Sequence, residues 1–349
     1  MLPHRVVVVG ASAGGVAALR NLFSQFSHDI QAAFIVVLHI LAESPSVLPT
    51  LLDNAGPLKA KAAEDNEPIL PGHVYVAPPD FHLLVKPGFL RLHRGPKENR
   101  HRPAIDPMFR SAAIAYPGQT IGVVLTGYLD DGTAGLSAIK RCGGFAIVQD
   151  PQDADFPDMP MNALAEVDVD YKLPLHQIGG KITQLVIQAA SDTHEVPKDI
   201  VMEAKIAEQT VSDIRREDLL GHQVPMNCPD CNGPLWQMEG GTVKRYRCHV
   251  GHSFTARTLM ASQDSVLEKA LWVAMRTMEE RANLSLLMAK NEAKQQRDLS
   301  AQLYAEQSET LKAHAQVIRQ LLVESTTSSK SIPSTSNHIS SNSSYVSSS

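Results

Sequence analysis

Four consecutive valines, residues 6–9, run into Gly10-Ala11-Ser12-Ala13-Gly14-Gly15. Consecutive β-branched residues read as a strand buried on both faces, which needs a covering layer on each side and so favours a parallel sheet. The glycines permit a sharp reversal, and residues 16–23 then read as a helix. A serine on such a turn has two uses. Its hydroxyl can attack a substrate, or it can sit beside a phosphate bound at the helix N-terminus.

Further apolar runs at residues 33–38, 74–77, 121–125 and 145–148 alternate with helical patterns such as 107–115 and 135–141. The alternation predicts an α/β fold, a doubly wound and mainly parallel sheet, over about residues 5–188. Residues 72–92 alternate with period two around Pro and Gly turns, which predicts an inserted antiparallel meander or hairpin. The net charge of −5 and the 5% aromatic content argue against nucleic acid as a partner. No stretch reaches the roughly 18–20 apolar residues of a membrane span, so membrane insertion is not expected. Three of four cysteines cluster at metal-ligand spacing rather than as a disulfide framework, and a cytoplasmic location is expected.

Gly10-Ala11-Ser12-Ala13-Gly14 has the G-x-S-x-G spacing of a nucleophile elbow, with helix N–H groups nearby for an oxyanion. A dinucleotide site is the rival, but Ser12 stands where the second glycine of its fingerprint belongs. The second apolar run ends in His39, where a ribose-binding carboxylate would be wanted. Histidine suits a general base, and a neighbouring strand end would set it on the same sheet edge as Ser12. The run at 121–125 ends in a loop carrying Asp130 and Asp131, which compete to orient the imidazole or to cap the next helix.

At these residues the chain resembles the catalytic domain of the CheB family of chemotaxis protein-glutamate methylesterases. The matching stretches are 10–15, 38–39, 70–78, 99–106 (Asn-Arg-His-Arg-Pro-Ala-Ile-Asp), 125–127 and 131–132. The resemblance implies Ser12 as nucleophile, His39 as base and Asp131 as orienting acid. It also implies hydrolysis of glutamate γ-methyl esters on chemoreceptor-like proteins, with glutamine deamidation as a related activity. It implies no cofactor for catalysis, and a methyltransferase or other signalling proteins as further partners. It places the basic segment holding Arg100 and Arg102 near the active site, as candidate substrate-binding residues. Two departures stand out. The catalytic strand begins at residue 5, so the receiver domain of classical members is expected to be absent, and Tyr128-Leu129-Asp130 replaces the methionine and glycine common in the family.

Beyond the catalytic stretch, Cys228-Pro-Asp-Cys231 and Cys248-His-Val-Gly-His252 give C-x₂-C, sixteen residues, then C-x₃-H. That spacing suits a closed tetrahedral structural zinc with Cys228, Cys231, Cys248 and His252 as ligands, His249 being less suited beside Cys248. Apolar stripes at 267, 271, 274, 278 and at 311, 315, 318, 322 predict helices, as a coiled coil, as a helix docked on a partner, or as a helical hairpin packed on its own domain. The expected organisation is a catalytic domain at 1–190, a linker at 191–224, a zinc-ribbon-like module at 225–258, a helical segment at 259–324 and a disordered serine-rich tail at 325–349. An esterase-like scaffold recruiting signalling partners is the alternative function, and a nucleotide-binding domain the third.

Overall fold

The computed structural model describes residues 5–188, 194–207 and 221–328. It divides into two compact units, Met1–Ser262 and Gln263–Ser349.

The first unit is built on seven parallel strands: β1 (Arg5–Ala11), β2 (Ala32–Leu38), β3 (Lys59–Ala62), β4 (His73–Val76), β7 (Thr120–Val124), β8 (Phe145–Gln149) and β9 (Tyr171–Leu173). Their spatial order is β3-β4-β2-β1-β7-β8-β9. The valine run lies at the centre, and each valine is fully buried. Val7 and Val9 face α1 (Gly15–Phe23), α2 (Leu48–Asp53) and α6 (Leu175–Ile187). Val6 and Val8 face α3 (Ile105–Ala115), α4 (Thr133–Arg141) and α5 (Asp158–Glu166). Burying a valine completely is worth about 1.5–3 kcal/mol, so the run pins the sheet between its two helical layers.

The antiparallel hairpin is β5 (His82–Lys86) with β6 (Phe89–His93). Residues 73–76, read above as part of the same alternating stretch, instead pair parallel with β2 and join the main sheet. Segment 191–224 is not wholly a linker. It carries α7 (Lys198–Ala207), whose Ile200 enters the core, and the first residues of β10 (Gly221–Asn227).

β10 opens a four-stranded antiparallel sheet completed by β11 (Pro234–Met238), β12 (Arg245–Cys248) and β13 (Ser253–Thr255). α8 (Ala256–Lys294) leaves directly from β13. The second unit is the rest of α8 and α9 (Asp298–Ser328), which form a helical hairpin. Met275, Ala315 and Leu322 are buried in its seam beside Leu271, Met278 and Ile318, whereas Leu267 is exposed. Of the expected serine-rich tail, 325–328 close α9 and 329–349 lie outside the described residues.

Candidate active site

Strand order reverses at β1, with β2 on one side and β7 on the other. Open α/β sheets gather their ligands at the strand C-termini of such a switch point. Ser12, His39 and Asp131 all lie there, following β1, β2 and β7. The strand ends are tied in register: Ser12 N–H donates to Thr126 O at 3.0 Å, and His39 N–H to Ala11 O at 3.2 Å.

Two glycines shape the turn around Ser12. Gly14 has φ +74°, and a Cβ there would meet Asp155 and Phe156 at 3.1–3.2 Å. A Cβ on Gly127 would lie 2.7 Å from Ser12 Cβ and 2.1 Å from Met159 Sδ. The nucleophile candidate thus rests against bare backbone of the loop after β7.

His39 Nδ1 is 3.1 Å from Ser12 Oγ, and His39 Nε2 is 2.7 Å from Asp131 Oδ2. Asp131 accepts from His39, which places the proton on Nε2 and leaves the Nδ1 lone pair facing the serine hydroxyl. Asp131 is 2% exposed and also accepts the N–H groups of Ile105 (2.7 Å) and Asp106 (3.2 Å) and the Asn99 amide (2.8 Å). Burial works to raise its pKa, but the His39 hydrogen bond and charge, with Ile105 N–H and Asn99, outweigh it and hold the carboxyl below the usual carboxylate range. Its buried neighbour Asp106 goes the other way. Burial and then the charge of Asp131 push it well above the ordinary value. The two carboxyls share the Asn99 amide, whose Nδ2 also donates to Asp106 Oδ2 at 2.7 Å.

Asp130 turns from the histidine and accepts from Thr255 Oγ1 at 2.8 Å. Burial pushes its pKa up to about 6 despite that bond. The His101 ring stacks on His39 at 3.6 Å and 6°. Burial first, then His39, pulls the His101 pKa down to about 3, so a neutral ring backs the His39 imidazole. Tyr128 and Phe156 meet edge-on at 4.8 Å at the rim, with Tyr128 half exposed. Arg102 is held by Asp80 (2.8 Å from Nε) and by Gly95 O (2.6 Å), which anchors the loop; Arg100 is exposed on the same loop.

Sequence reasoning passed over Asn99, His101 and Asp106. The stretch 99–106 carried them, but only its arginines drew attention because charge is a visible signal. A paired amide and acid is not.

Cys228, Cys231, Cys248 and His252 bring their ligand atoms within 4.8 Å of one another. Cys231 Sγ–Cys248 Sγ is 3.6 Å, and His252 Nδ1 is 3.5 Å from Cys248 Sγ and 3.7 Å from Cys228 Sγ. A tetrahedron with metal–sulfur bonds of about 2.3 Å has edges of about 3.7 Å, so the donor set fits zinc. The His249 ring packs near Gly233 instead.

A family profile described as CheB methylesterase matches residues 7–182. A Leptospira interrogans protein, provisionally named protein-glutamate methylesterase/protein-glutamine glutaminase, is 39% identical over 176 residues, 50% of this chain and 91% of that protein. A Hydrogenovibrio crunogenus protein-glutamate methylesterase/protein-glutamine glutaminase is 36% identical over 187 residues, 52% of this chain and 50% of the relative. The crystal structure of the Thermotoga maritima CheB methylesterase catalytic domain superposes with a TM-score of 0.51 at 36% identity, covering 52% of this chain and 98% of that one. The chain therefore spans only about half of the Hydrogenovibrio relative, and the cysteine cluster lies outside the matched residues.

Proposed function

The chain belongs to the CheB methylesterase family, and from that premise we propose that it hydrolyses glutamate γ-methyl esters on chemoreceptor-like proteins through Ser12, His39 and Asp131. The single observation that carries this reading is the relay Ser12 Oγ···Nδ1 His39 Nε2···Oδ2 Asp131, with links of 3.1 and 2.7 Å.

His39 Nδ1 takes the Ser12 hydroxyl proton as Oγ attacks the ester carbonyl carbon. Ionised Asp131 stabilises the imidazolium so formed and fixes its orientation. Backbone N–H groups at the head of α1 supply the oxyanion site, where the helix dipole also favours negative charge. The imidazolium then gives its proton to the departing methoxide oxygen, releasing methanol and leaving a glutamyl ester on Ser12. Water attacks that ester with His39 again as base, freeing the glutamate carboxyl. A glutamine amide fits the same steps with ammonia leaving, in keeping with the second half of the relatives' names.

Arg100 and Arg102 are the proposed substrate-side groups. Arg100 would act through its exposed side chain, and Arg102 by holding the loop through Asp80. A methyl-ester substrate requires a methyltransferase to make it, and we assign the action to the cytoplasm. Cys228, Cys231, Cys248 and His252 would hold zinc, which supplies a cross-link between two knuckles and no reaction chemistry. The test is methanol release from methylated chemoreceptor. Wild type should release it, and Ser12→Ala should fall by at least about 10²-fold. Equal rates would remove Ser12 from the mechanism.

A further inference from the structure

Residues 97–101 connect two parts of the first unit. One side of this loop faces the catalytic acid, and the other is joined to the cysteine module. Asn99 N–H donates to Ser253 O at 2.8 Å, and Ser253 N–H returns to Lys97 O at 3.4 Å, so the loop makes a parallel bridge from Glu98 to Ser253 in β13. A Cβ on Gly251, at φ +107°, would reach Pro96 at 3.1 Å, so the second knuckle lies close on the loop's start.

The Asn99 amide is fully used. Nδ2 donates to Asp131 and Asp106, while Oδ1 accepts Thr255 N–H at 3.0 Å and Thr258 Oγ1–H at 3.2 Å. The reverse amide orientation would aim an oxygen at two carboxyls, so the partners fix it. Asn99, Thr255, Thr258 and Asp131 are each at most 3% exposed. Buried hydrogen bonds of this kind are costly to break, because the groups left behind have no water to turn to. Thr255 lies three residues beyond His252, and Cys248 N–H is bonded to His252 O at 3.0 Å.

We propose that the Cys228/Cys231/Cys248/His252 module is a metal-dependent positioning element for the catalytic acid, acting through Thr255, Thr258 and the positioning residue Asn99. A divalent metal of zinc's coordination chemistry holds the second knuckle, and with it β13, in the register that presents Thr255 N–H and Thr258 Oγ1 to Asn99. Asn99 in turn holds Asp131 Oδ1 so that Oδ2 faces His39. Loss of metal releases the register, and turnover falls although Ser12, His39 and the substrate surface are intact. The inference rests on the Ser12–His39–Asp131 reading.

The experiment compares the full chain carrying zinc, the same protein stripped with a chelator, Asn99→Ala, Thr258→Val and Thr258→Ser. Two readouts are taken: the kcat and KM of methanol release, and the low-field proton resonance of His39 Nε2–H against Asp131. Stripping and Asn99→Ala should each lower kcat by about 10-fold or more with KM within about twofold, and shift or erase the resonance. Thr258→Val should do so to a lesser degree, and Thr258→Ser should restore both. Stripped protein with wild-type kcat and an unchanged resonance would overturn the proposal. If stripping unfolds the protein, the Thr258 pair decides: Val equal to Ser in both readouts overturns it. If wild type releases no methanol, the esterase reading fails, while the response of the resonance to metal still decides the coupling.

Discussion

At the scale of single residues, the site separates neighbouring ionisable groups by environment. Asp131 has hydrogen-bond donors on both oxygens and stays ionised, whereas Asp106 and Asp130 are pushed up by burial. Asp131→Asn should therefore lower kcat by about 10³–10⁴-fold with KM little changed, since the amide favours the wrong imidazole tautomer. Steady-state methanol release measures both terms. His101 supplies a pH prediction. Its folded pKa of about 3 lies below the unfolded value near 6.5, set by burial and by His39, Arg100 and Lys97 against the opposing pull of Asp131. The unfolded chain binds the proton between those values and the folded chain does not, so stability is lost as pH falls from about 6.5 toward 3. Urea unfolding of His101→Phe, which keeps a ring on His39, should show about 1–2 kcal/mol less loss between pH 7 and pH 5 than wild type. Asp130 slopes the opposite way but is common to both proteins. Ser12 and His39 were legible because each ends an apolar run. Asn99 was not, because its partners lie at 131 and 255.

Elements explain why the site holds its shape. The loop after β7 must pass Ser12 without a side chain, so Gly127→Ala should destabilise the fold by about 1–3 kcal/mol and reduce turnover further than the stability change alone explains. Thermal unfolding and kcat of the same preparation distinguish the two effects. α3 and α7 are joined by Arg110, which pairs with Glu98 at 2.9 Å and Glu203 at 3.0 Å, all buried. Burial alone would raise Glu203, but Arg110 and Arg245 outweigh it and draw its pKa down to about 2. Arg110→Met should cost about 3 kcal/mol or more, because it strips two buried carboxylates of a cation. Denaturant titration reads it directly. The central strands could be read from their apolar runs because both faces are buried. β3 (Lys-Ala-Lys-Ala) and the three-residue β9 lie at the sheet edges, where half-exposed strands carry no such run. β4 looked like part of a hairpin because alternation does not say whether its partner is parallel.

For the molecule as a whole, the family match ends at residue 182, and the cysteine module beyond it reaches Asp131 through Asn99. The spacing of Cys228, Cys231, Cys248 and His252 pointed to a metal, but its junction with loop 97–101 joins residues over 150 positions apart, which no local pattern encodes. Replacing both Cys228 and Cys231 by Ser should abolish stoichiometric zinc, measured by elemental analysis of purified protein, and retained zinc would refute the ligand set. The proposed mechanism makes Ser12 and His39 one catalytic unit. It is tested most directly by methanol release from methylated chemoreceptor with Ser12→Ala, His39→Ala and the double variant. Each single change should lower kcat by at least about 10²-fold, and the double should be no slower than the worse single within about threefold. Losses that multiply in the double variant, or a Ser12→Ala protein as fast as wild type, would contradict it.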